Sequence, residues 1–529
     1  MKGHRFTTAR LVVTTSLFLA VLYNYAFFRN VLSTYPLTWD KLPFIVSLFL
    51  VLFCLTALVL LIVSSQYTLK PVLILVLVAS SFASYFMDTF NVVIDIVMLG
   101  NAAQTDVAEA MDLLNFKFAA YFLLLGVLPS VWVYKARVDY GSWKREVVSK
   151  LKYVTALVLV LLVTGLVFSR HYASFFREHK RLRYYTNPVA WIGSTVRFSF
   201  GSMKAEGKTV RPIGRDAKIP ASDTDRELII LVVGEAARAD KFSLNGYAKE
   251  TNPLLAKEDV VSFTEFYSSG TSTSVAVPSM FSIYGRKGYS RQKVRETENL
   301  LDVLSHAGVN VLWRENNSSS KGVADRVLFE DYRSPKTNPV CDVECRDEGM
   351  LDGLQECIDR TKQGDITIVL HQMGNHGPAY YKRYPPEFER FTPVCKSNQL
   401  DRCTNEQVEN AYANAILYTD YFLSRVIELL KRNSGEFEAA MVYVGDHGES
   451  LGENRIYLHG LPYFMAPDAQ KHVAAVMWFS DSFKIDRKAL RAKADLPFSH
   501  DNLFHTMLGL MEIETSIYNK SLDILKYDR

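Results

Sequence analysis

Hydrophobic residues are distributed unevenly along the 529-residue chain, with long apolar runs early and short β-branched runs later. Five of the early runs approach the ~20 apolar residues that a helix needs to cross a bilayer. They occupy residues 11–28, 42–64, 71–88, 117–134 and 153–169. The pattern therefore predicts a five-helix transmembrane domain followed by a water-soluble region.

The first apolar run also has the length of a secretory signal peptide. Four further apolar runs follow it, however, and the residues after this run contain no small-residue cleavage pattern of the kind that signal peptidase recognises. We therefore interpret residues 11–28 as the first membrane span.

Charges in the connecting segments predict the orientation of the spans, because cytoplasmic loops carry an excess of Lys and Arg. Basic residues precede the first run and crowd the loop between the fourth and fifth: Lys2, Arg5, Arg10, Lys135, Arg137, Lys144, Arg145, Lys150 and Lys152. The segment between the third and fourth runs is acidic: Asp88, Asp95, Asp106, Glu109 and Asp112. Five spans with this pattern place the C-terminal region on the side opposite the cytoplasm.

A segment of interleaved basic and aromatic residues, 170–198, follows the last apolar run. This mixture favours a position at the level of the lipid headgroups, although an ordinary connecting helix with a solvated basic face is the simpler alternative. We therefore predict a transmembrane domain at 1–170, an interfacial linker at 171–219 and a water-soluble domain at 220–529.

The C-terminal region alternates short apolar strands with helical patterns. The strand candidates are ELIILVVGE, VNVLWREN, DITIVLHQMG, AAMVYVGDHG and VAAVMWFS. Such an order predicts an α/β fold with a mostly parallel sheet between helices. Ligands in these folds bind at the carboxyl ends of the strands.

Cysteine usage fits an oxidising compartment for this region, because five of the six cysteines fall in it and only Cys54 lies in a span. The short separations favour the pairs Cys341/Cys345 and Cys395/Cys403, which leaves Cys357 unpaired, but spacing alone leaves other connectivities open. The net charge of +4 is small and no nucleic-acid-binding motif is present, so nucleic acid is not an expected partner.

Polar residues follow directly after three of the predicted strands. Glu235 follows the first, His371 and His376 follow the third, and Asp446 and His447 follow the fourth. Carboxylate oxygens and imidazole nitrogens are ligands suited to Zn²⁺, and three protein ligands with one open position are typical of catalytic zinc. A single carboxylate after a strand is usually a helix cap or ion-pair partner, but several such residues at one sheet edge favour a metal site.

A run of hydroxyl residues, SSGTSTSVAVPSMFS at 268–282, offers a nucleophile for such a site. A metal ion next to a hydroxyl lowers the pKa of that hydroxyl and so supplies an alkoxide without a neighbouring general base. Pro278 and the apolar residues after it indicate a turn into a helix, whose N-terminal amides favour phosphate. The residues alone do not select one hydroxyl of the run.

Several long motifs resemble one enzyme family. VVGEAARADKFSLNGY, SSGTSTSVAVPSMFS, NHGPAYYKRYPPEFERFTPVC, GDHGESLGENRIYLHG and SHDNLFHTMLGL are similar to motifs of the phosphoethanolamine transferases that modify lipid A, which include the mobile colistin resistance enzymes. The resemblance covers essentially the whole chain. It implies an alkaline-phosphatase-like catalytic domain in the periplasm, a Gram-negative inner-membrane anchor, Zn²⁺, phosphatidylethanolamine as donor and lipid A as acceptor.

The resemblance also implies roles for individual residues. Thr273 corresponds to the nucleophile, and the metal ligands correspond to Glu235, Thr273, Asp446 and His447. His376 and His459 correspond to residues that line the site, where they bind the phosphoryl group, assist the attacking or leaving oxygen, or hold a second Zn²⁺.

Five further positions correspond to substrate-binding residues of the family: Asn101, Thr105, Glu109, Ser318 and Lys321. The first three are four residues apart and would share one helix face, and Glu109 suits an ammonium group. Lysine suits phosphate as a mobile point charge. A polar helix cap and a surface turn are the structural alternatives for the two segments.

The chain departs from the family at the nucleophile loop, where relatives often carry a cysteine pair and this sequence has Ser269 and Ser279. The loss of that disulfide removes a constraint on the loop. The pairs Cys341/Cys345 and Cys395/Cys403 match the remaining family disulfides.

Other functions are compatible with parts of the pattern. A phosphoethanolamine transferase acting on Kdo or heptose of the lipopolysaccharide core differs only in its acceptor, and a membrane-anchored glycerol-phosphate transferase of the lipoteichoic acid synthase type shares the layout. A sulfatase would require a C-x-P-x-R nucleophile motif, which 268–282 lacks. An inactive headgroup sensor would have no need of the metal-ligand set.

Overall fold

The computed structural model describes residues 5–103, 113, 115–169, 171–172, 175, 179, 181–203 and 210–526. Two of the predicted substrate residues, Thr105 and Glu109, lie outside the described residues. The chain forms two compact units, Met1–Leu99 with Leu113–Lys204 and Gly100–Asp112 with Ala205–Arg529.

The first unit is helical. Its helices are α1 (Thr8–Leu22), α2 (Tyr25–Thr34), α3 (Leu42–Val63), α4 (Leu69–Phe90), α5 (Ile96–Ala102, which continues across the boundary between the units), α6 (Phe116–Lys135, with a π-helical turn at Phe122–Val127), α7 (Trp143–Val167) and α8 (Val189–Met203). Among the described residues, α3, α4, α6 and α7 are each long and apolar enough to cross a bilayer, and α1 with α2 makes a fifth span if the bent pair counts as one. The membrane bundle predicted from the apolar runs is therefore confirmed.

The first predicted span is bent, with an angle of 53° between α1 and α2. Asn24 lies at the bend, where its Nδ2 donates to the carbonyls of Leu19 at 3.0 Å and Asn187 at 2.7 Å. The Asn187 amide in turn donates to Asn24 Oδ1 at 2.8 Å. A buried amide that bonds nearby carbonyls competes with the helical hydrogen bonds, and this explains the bend without Pro or Gly.

The second unit contains the α/β fold. Its strands are β1 (Glu227–Gly234), β2 (Val261–Phe263), β3 (Phe266–Tyr267), β4 (Asn310–Glu315), β5 (Leu328–Asp331), β6 (Ile366–His371), β7 (Glu438–Gly445), β8 (Ser450–Leu451), β9 (Tyr457–Leu458), β10 (Ala475–Phe479) and β11 (Phe498–Ser499). Its α-helices are α9 (Thr273–Met280), α10 (Gly285–Gly288), α11 (Arg291–Arg295), α12 (Leu300–His306), α13 (Leu354–Arg360), α14 (Asn405–Asn433), α15 (Arg487–Arg491) and α16 (His500–Leu510).

The main sheet has seven strands in the order β2-β10-β7-β1-β6-β4-β5. Five neighbouring strands, β7, β1, β6, β4 and β5, are parallel to one another. Strand β10 pairs antiparallel with both β7 and β2. The predicted mostly parallel sheet is confirmed, and the antiparallel strand VAAVMWFS lies near one edge of it.

Both faces of the sheet are covered, because every residue of β1 and β7 is buried. On β1, Ile229, Leu231 and Val233 pack into a core with α12 and α16, whereas the intervening residues pack against α13 and α14. Each buried aliphatic side chain stabilises the fold by ~1.5–3 kcal/mol relative to exposure. This two-sided core fixes the strand ends that carry the polar residues.

Disulfides join Cys341 to Cys345 and Cys395 to Cys403, as predicted. Cys357 and Cys54 are unpaired thiols.

Candidate active site

The site lies at the carboxyl ends of the central strands. β1 and β7 pair in register through Gly234 and Gly445, so the residues that follow them, Glu235 and Asp446, emerge side by side. The Asp446 amide donates to the Gly234 carbonyl at 2.8 Å and extends the pairing by one residue. Both carboxylates are fully buried.

The backbone beside Glu235 is strained. Ala236 has a φ of 51°, a left-handed conformation that costs an L-residue ~1–2 kcal/mol. Its amide donates to Asp446 Oδ1 at 3.0 Å, and its carbonyl accepts the Tyr412 hydroxyl at 2.5 Å. These two bonds hold the turn that aims Glu235 into the site.

Thr273 is the first residue of α9, and Ser272 before it is extended, with φ −157° and ψ 150°. Thr273 Oγ donates to Glu235 Oε2 at 3.1 Å and lies 3.3 Å from His447 Nε2. The structure thus brings Thr273 to the metal-ligand candidates. The helix begins five residues before Pro278 and contains it, so the expectation of a turn into a helix at Pro278 is wrong: the turn lies at the extended Ser272, and the helix starts within the hydroxyl run.

The orientation of His447 follows from its Nδ1, which lies 2.8 Å from the Gly448 carbonyl and donates to it. Nε2 of the neutral ring is then an acceptor, yet it faces Glu235 Oε1 at 3.3 Å and Asp446 Oδ2 at 3.5 Å. Burial lowers the pKa of His447, but the Asp446 and Glu235 carboxylates outweigh burial and raise it above its usual value. An excess of acceptors at one point calls for a cation or a proton between them.

Two buried carboxylate oxygens support a cation. Within the described residues, Glu235 Oε1 and Asp446 Oδ2 have no hydrogen-bond donor. Leaving buried acceptors without a partner costs ~1–3 kcal/mol each, and more for charged groups. The residues present therefore fit a bound divalent metal ion.

His459 completes a metal-binding geometry. One potential ligand atom from each of Glu235, His447 and His459 lies within 4.8 Å of the other two. Among the described residues, these three side chains are close enough to bind one metal ion together. His459 Nδ1 donates to Glu449 Oε2 at 2.8 Å, and the Tyr380 hydroxyl donates to Glu449 Oε1 at 2.7 Å. A carboxylate behind an imidazole fixes the tautomer that presents Nε2, as in many metal sites.

The predicted site histidines lie together. The ring of His376 lies 5.8 Å from that of His459, and the ring of His459 lies 4.2 Å from that of His447. Burial lowers the pKa of His376 to about 4, and burial together with the nearby His447 lowers that of His459 to about 3. Both rings are therefore neutral near pH 7.

His371, the last residue of β6, does not join this group. Its Nδ1 lies 3.0 Å from Glu315 Oε2, and its ring stands edge-on to Trp313. Glu315 also accepts from Trp313 Nε1 at 2.9 Å. His371 is a buried partner of Glu315 beneath the site.

The predicted substrate residues that the structure describes lie close to these groups. Ser318 follows Asn317, whose Nδ2 donates to Glu235 Oε2 at 2.9 Å. Lys321 Nζ donates to the Ser318 hydroxyl at 2.5 Å. Asn101 belongs to the same compact unit as the other site residues. Its Oδ1 accepts a hydrogen bond at 2.5 Å from Oγ of Ser274, the residue after Thr273.

Sequence reasoning missed Asn317, Glu449 and His500. Glu449 stands two residues after His447 in GDHGES, so its position in the motif was the available signal. His500 Nε2 donates to the Gly445 carbonyl at 2.9 Å, and its Nδ1 accepts the Ser269 amide at 3.2 Å. This contact anchors the nucleophile loop at one of the two serines that replace the family cysteines.

Comparisons with known proteins agree with this geometry. Residues 227–513 match the Sulfatase family and residues 52–201 match the family described as Phosphoethanolamine transferase EptA/EptB. The chain is 43% identical over 518 residues to Phosphatidylethanolamine transferase Mcr-1 of Escherichia coli, which covers 95% of this chain and 94% of that protein.

Solved structures are similar as well, among them the following two. The integral membrane protein lipooligosaccharide phosphoethanolamine transferase A from Neisseria meningitidis has a TM-score of 0.95 and 35% identity, covering 99% of this chain and 100% of that one. The C-terminal periplasmic domain of EcEptC from Escherichia coli, solved in complex with Zn, has a TM-score of 0.51 and 20% identity, covering 61% of this chain and 92% of that one, and it shows the fold alone.

The full-length match, the confirmed membrane helices and the site at the strand ends are consistent with one another. The chain is an integral membrane enzyme with a periplasmic catalytic domain, and it belongs to the phosphoethanolamine transferase family.

Proposed function

We propose that this enzyme transfers phosphoethanolamine from phosphatidylethanolamine to a phosphate of lipid A through a covalent phosphoethanolamine-threonine at Thr273. One observation carries the proposal: Thr273 Oγ lies within hydrogen-bond distance of both Glu235 and His447, in a site where Glu235 Oε1 and Asp446 Oδ2 have no donor among the described residues. The names of the relatives support the donor and the acceptor class, since one is a phosphatidylethanolamine transferase and another acts on lipooligosaccharide.

The metal in this proposal is Zn²⁺. Glu235, Asp446 and His447 would hold it beside Thr273, and His459 offers a further nitrogen from the same cluster. When bound, the ion supplies a lowered pKa for the Thr273 hydroxyl and positive charge near the phosphoryl oxygens. Mixed carboxylate and imidazole donors are typical of catalytic zinc.

In the first half-reaction, Thr273 Oγ forms a bond to the donor phosphorus while the bond to the diacylglycerol oxygen breaks. The Thr273 hydroxyl loses its proton, and the diacylglycerol oxygen gains one. Glu235 Oε2 holds the hydroxyl hydrogen before reaction and thereby aims an Oγ lone pair away from the carboxylate. His376 and His459 are neutral imidazoles and so suit binding of the phosphoryl group or transfer of this proton.

In the second half-reaction, an oxygen of the acceptor phosphate attacks the phosphorus on Thr273. The bond from phosphorus to Thr273 Oγ breaks, and the proton of the acceptor phosphate passes to Oγ. Thr273 is the first residue of α9, so a phosphoryl group on it would lie near the N-terminus of a helix, where backbone amides favour an anion.

The remaining residues bind substrate. Ser318 and Lys321, which are joined by a hydrogen bond, face the donor phosphate in this proposal. Asn101, Thr105 and Glu109 receive the headgroup, and Glu109 pairs with its ammonium. Both substrates are lipids, so a membrane-anchored enzyme meets them without extracting either from the bilayer.

The product lowers the negative charge of the outer surface, because each transfer adds an amine to an anionic lipid. Cells that express the enzyme should therefore bind cationic peptides such as polymyxins less well and resist them. Unchanged polymyxin susceptibility in cells whose lipid A carries the adduct would contradict this consequence.

Mass spectrometry of lipid A and of core oligosaccharide tests the proposal. Cells expressing the wild type should carry phosphoethanolamine on lipid A, and Thr273→Ala should abolish it. Ser272→Ala is the matched control, because its hydroxyl is one residue away and makes only a 3.4 Å contact with Ser274. An adduct on Kdo or heptose alone would assign a different acceptor, and an adduct that persists in Thr273→Ala would exclude this nucleophile.

A further inference from the structure

A cavity of about 800 Å³ lies along one face of α9, inside the unit that carries the catalytic residues. Its wall includes Ser274 and Pro278, which are one helical turn apart on that face. Ser274 follows Thr273 directly in the chain, so this part of the cavity wall adjoins the proposed nucleophile. The lining also contains Ser319 and Lys321, from the segment that follows Asn317, the residue hydrogen-bonded to Glu235.

Two arginines from α11, Arg291 and Arg295, also line this cavity. Arg291 is half-buried, and Arg295 is exposed. Within the part of the chain that the structure describes, neither guanidinium makes a hydrogen bond or an ion pair with a carboxylate. Burial, reinforced by the neighbouring Arg295, lowers the pKa of Arg291. Two neighbouring guanidinium groups that no described carboxylate neutralises are suited to bind an anion.

The rest of the lining keeps this positive balance. Arg326 is neutralised by Asp302, with contacts of 2.7 and 2.6 Å, and Asp325 is the carboxylate that lines the cavity. Lys321, which the proposed function assigns to the donor phosphate, bonds to the Ser318 hydroxyl and forms no ion pair with a carboxylate of the described residues. The cavity therefore carries more cationic than anionic groups.

We propose that this cavity is the acceptor subsite and that Arg291 and Arg295 bind the phosphate monoester that receives phosphoethanolamine. The proposal rests on the function proposed above. A phosphate monoester bears up to two negative charges, and a guanidinium binds it through two parallel hydrogen bonds. The donor headgroup instead carries an ammonium, which two arginines repel, so the cavity favours the acceptor over the donor.

The lining also contains apolar residues, among them Val294, Val327 and Phe329. A phosphorylated sugar bearing acyl chains combines an anion with apolar surface, as this wall does. In the transfer, the bound phosphate oxygen forms a bond to the phosphorus on Thr273 as the bond to Thr273 Oγ breaks and the acceptor proton moves to Oγ. Arg291 and Arg295 hold the attacking phosphate and take no proton.

Separate measurement of the two half-reactions tests this assignment with full-length enzyme in detergent. Phosphatidylethanolamine with a fluorescent acyl chain reports loading of Thr273 through release of labelled diacylglycerol. Lipid A added to the loaded enzyme reports unloading by intact-protein mass. The variants are Arg291→Ala/Arg295→Ala, Arg291→Lys/Arg295→Lys and the control Lys293→Ala, an exposed cation of the same helix that lies over the Tyr284 ring instead of lining the cavity.

We expect the alanine pair to load at a rate within about twofold of the wild type and to need at least ~10-fold more lipid A for half-maximal unloading, since the substitutions remove charge-assisted hydrogen bonds to the acceptor phosphate. The lysine pair should recover part of this loss, and Lys293→Ala should match the wild type. Equal loss in loading and unloading, or unchanged unloading, would overturn the acceptor assignment. If lipid A fails to unload the wild type, the proposed acceptor itself is wrong and the subsite falls with it.

Discussion

The carboxylate of Glu449 offers the sharpest test of how the site is organised. It accepts two hydrogen bonds, from His459 Nδ1 at 2.8 Å and from the Tyr380 hydroxyl at 2.7 Å. Glu449→Gln preserves the shape but replaces one acceptor oxygen with an NH₂ group. We expect the Tyr380 hydroxyl to keep donating to the remaining carbonyl oxygen, so that the NH₂ group faces His459 Nδ1 and forces the proton of that ring to Nε2.

The consequence is a histidine whose Nε2 donates where the site needs an acceptor. Substitutions of residues that orient metal ligands typically cost ~10–100-fold in metal affinity or activity, equivalent to ~1.4–2.7 kcal/mol. Glu449→Gln should therefore lower the rate of Thr273 loading by this factor in a fluorescent diacylglycerol assay. Glu449 is fully buried, and burial raises the pKa of its carboxyl to about 7, so removal of the charge itself should cost little stability.

A second substitution separates tautomer control from general damage. In Tyr380→Phe/Glu449→Gln the amide is released from Tyr380 and turns its carbonyl toward His459 Nδ1. The double variant should load faster than Glu449→Gln alone, and Tyr380→Phe alone should be nearly normal. If the loss of loading rate in the double variant equalled the sum of the losses in the two single variants, or if Glu449→Gln were fully active, the reasoning would be refuted.

Three further predictions follow from particular contacts. Asp420 caps the backbone amides of Leu254 and Leu255 at 2.8 and 3.0 Å while buried, and burial raises its pKa to about 7. The folded state therefore keeps a proton that the unfolded chain releases above pH ~4, so stability falls as pH rises from ~4 to ~7 by up to ~1.4 kcal/mol per unit. Thermal unfolding of Asp420→Asn at several pH values should show a weaker decline than the wild type, and equal slopes would contradict this. At Ala236, with φ 51°, we expect Gly to change the free energy of unfolding by less than ~1 kcal/mol and Val to lower it by ~2 kcal/mol or more, measured by denaturant unfolding of the detergent-solubilised protein; a tolerated Val would mean that the strain is not real. A chelator should abolish Thr273 loading and lower the melting temperature, and Zn²⁺ should restore both; loading that survives demonstrated metal removal would exclude the metal site.

Much of the fold could be predicted because its strands are continuous apolar runs. ELIILVVG predicted β1 at Glu227–Gly234, and the residue after it predicted one member of the site. The antiparallel direction of β10 could not be predicted, since a buried strand reads the same in either direction. The bend at Asn24 was also hidden, because it depends on Asn187, a residue 163 positions away.

The residues of the site were likewise predictable where local sequence determines their position and unpredictable where contacts between distant segments do. The sequence predicted residues that stand directly after strands, whose positions the sheet register fixes. It did not predict that His371 would pair with Glu315, or that Asn317 would reach Glu235, because these contacts join different strands. Selection of Thr273 among neighbouring hydroxyls needed the family resemblance. The boundaries at 170 and 219 and the headgroup position of 171–219 stay predictions.

The central claim is that Thr273 carries phosphoethanolamine covalently. Peptide mass spectrometry of the purified enzyme, incubated with phosphatidylethanolamine and no acceptor, tests it most directly. We predict that the peptide containing Thr273 gains the mass of one phosphoethanolamine group, located on that residue by fragmentation, and that lipid A removes it. A group found on Thr271, Ser272 or Ser274, or transfer to lipid A with no modified peptide at any time, would contradict the claim.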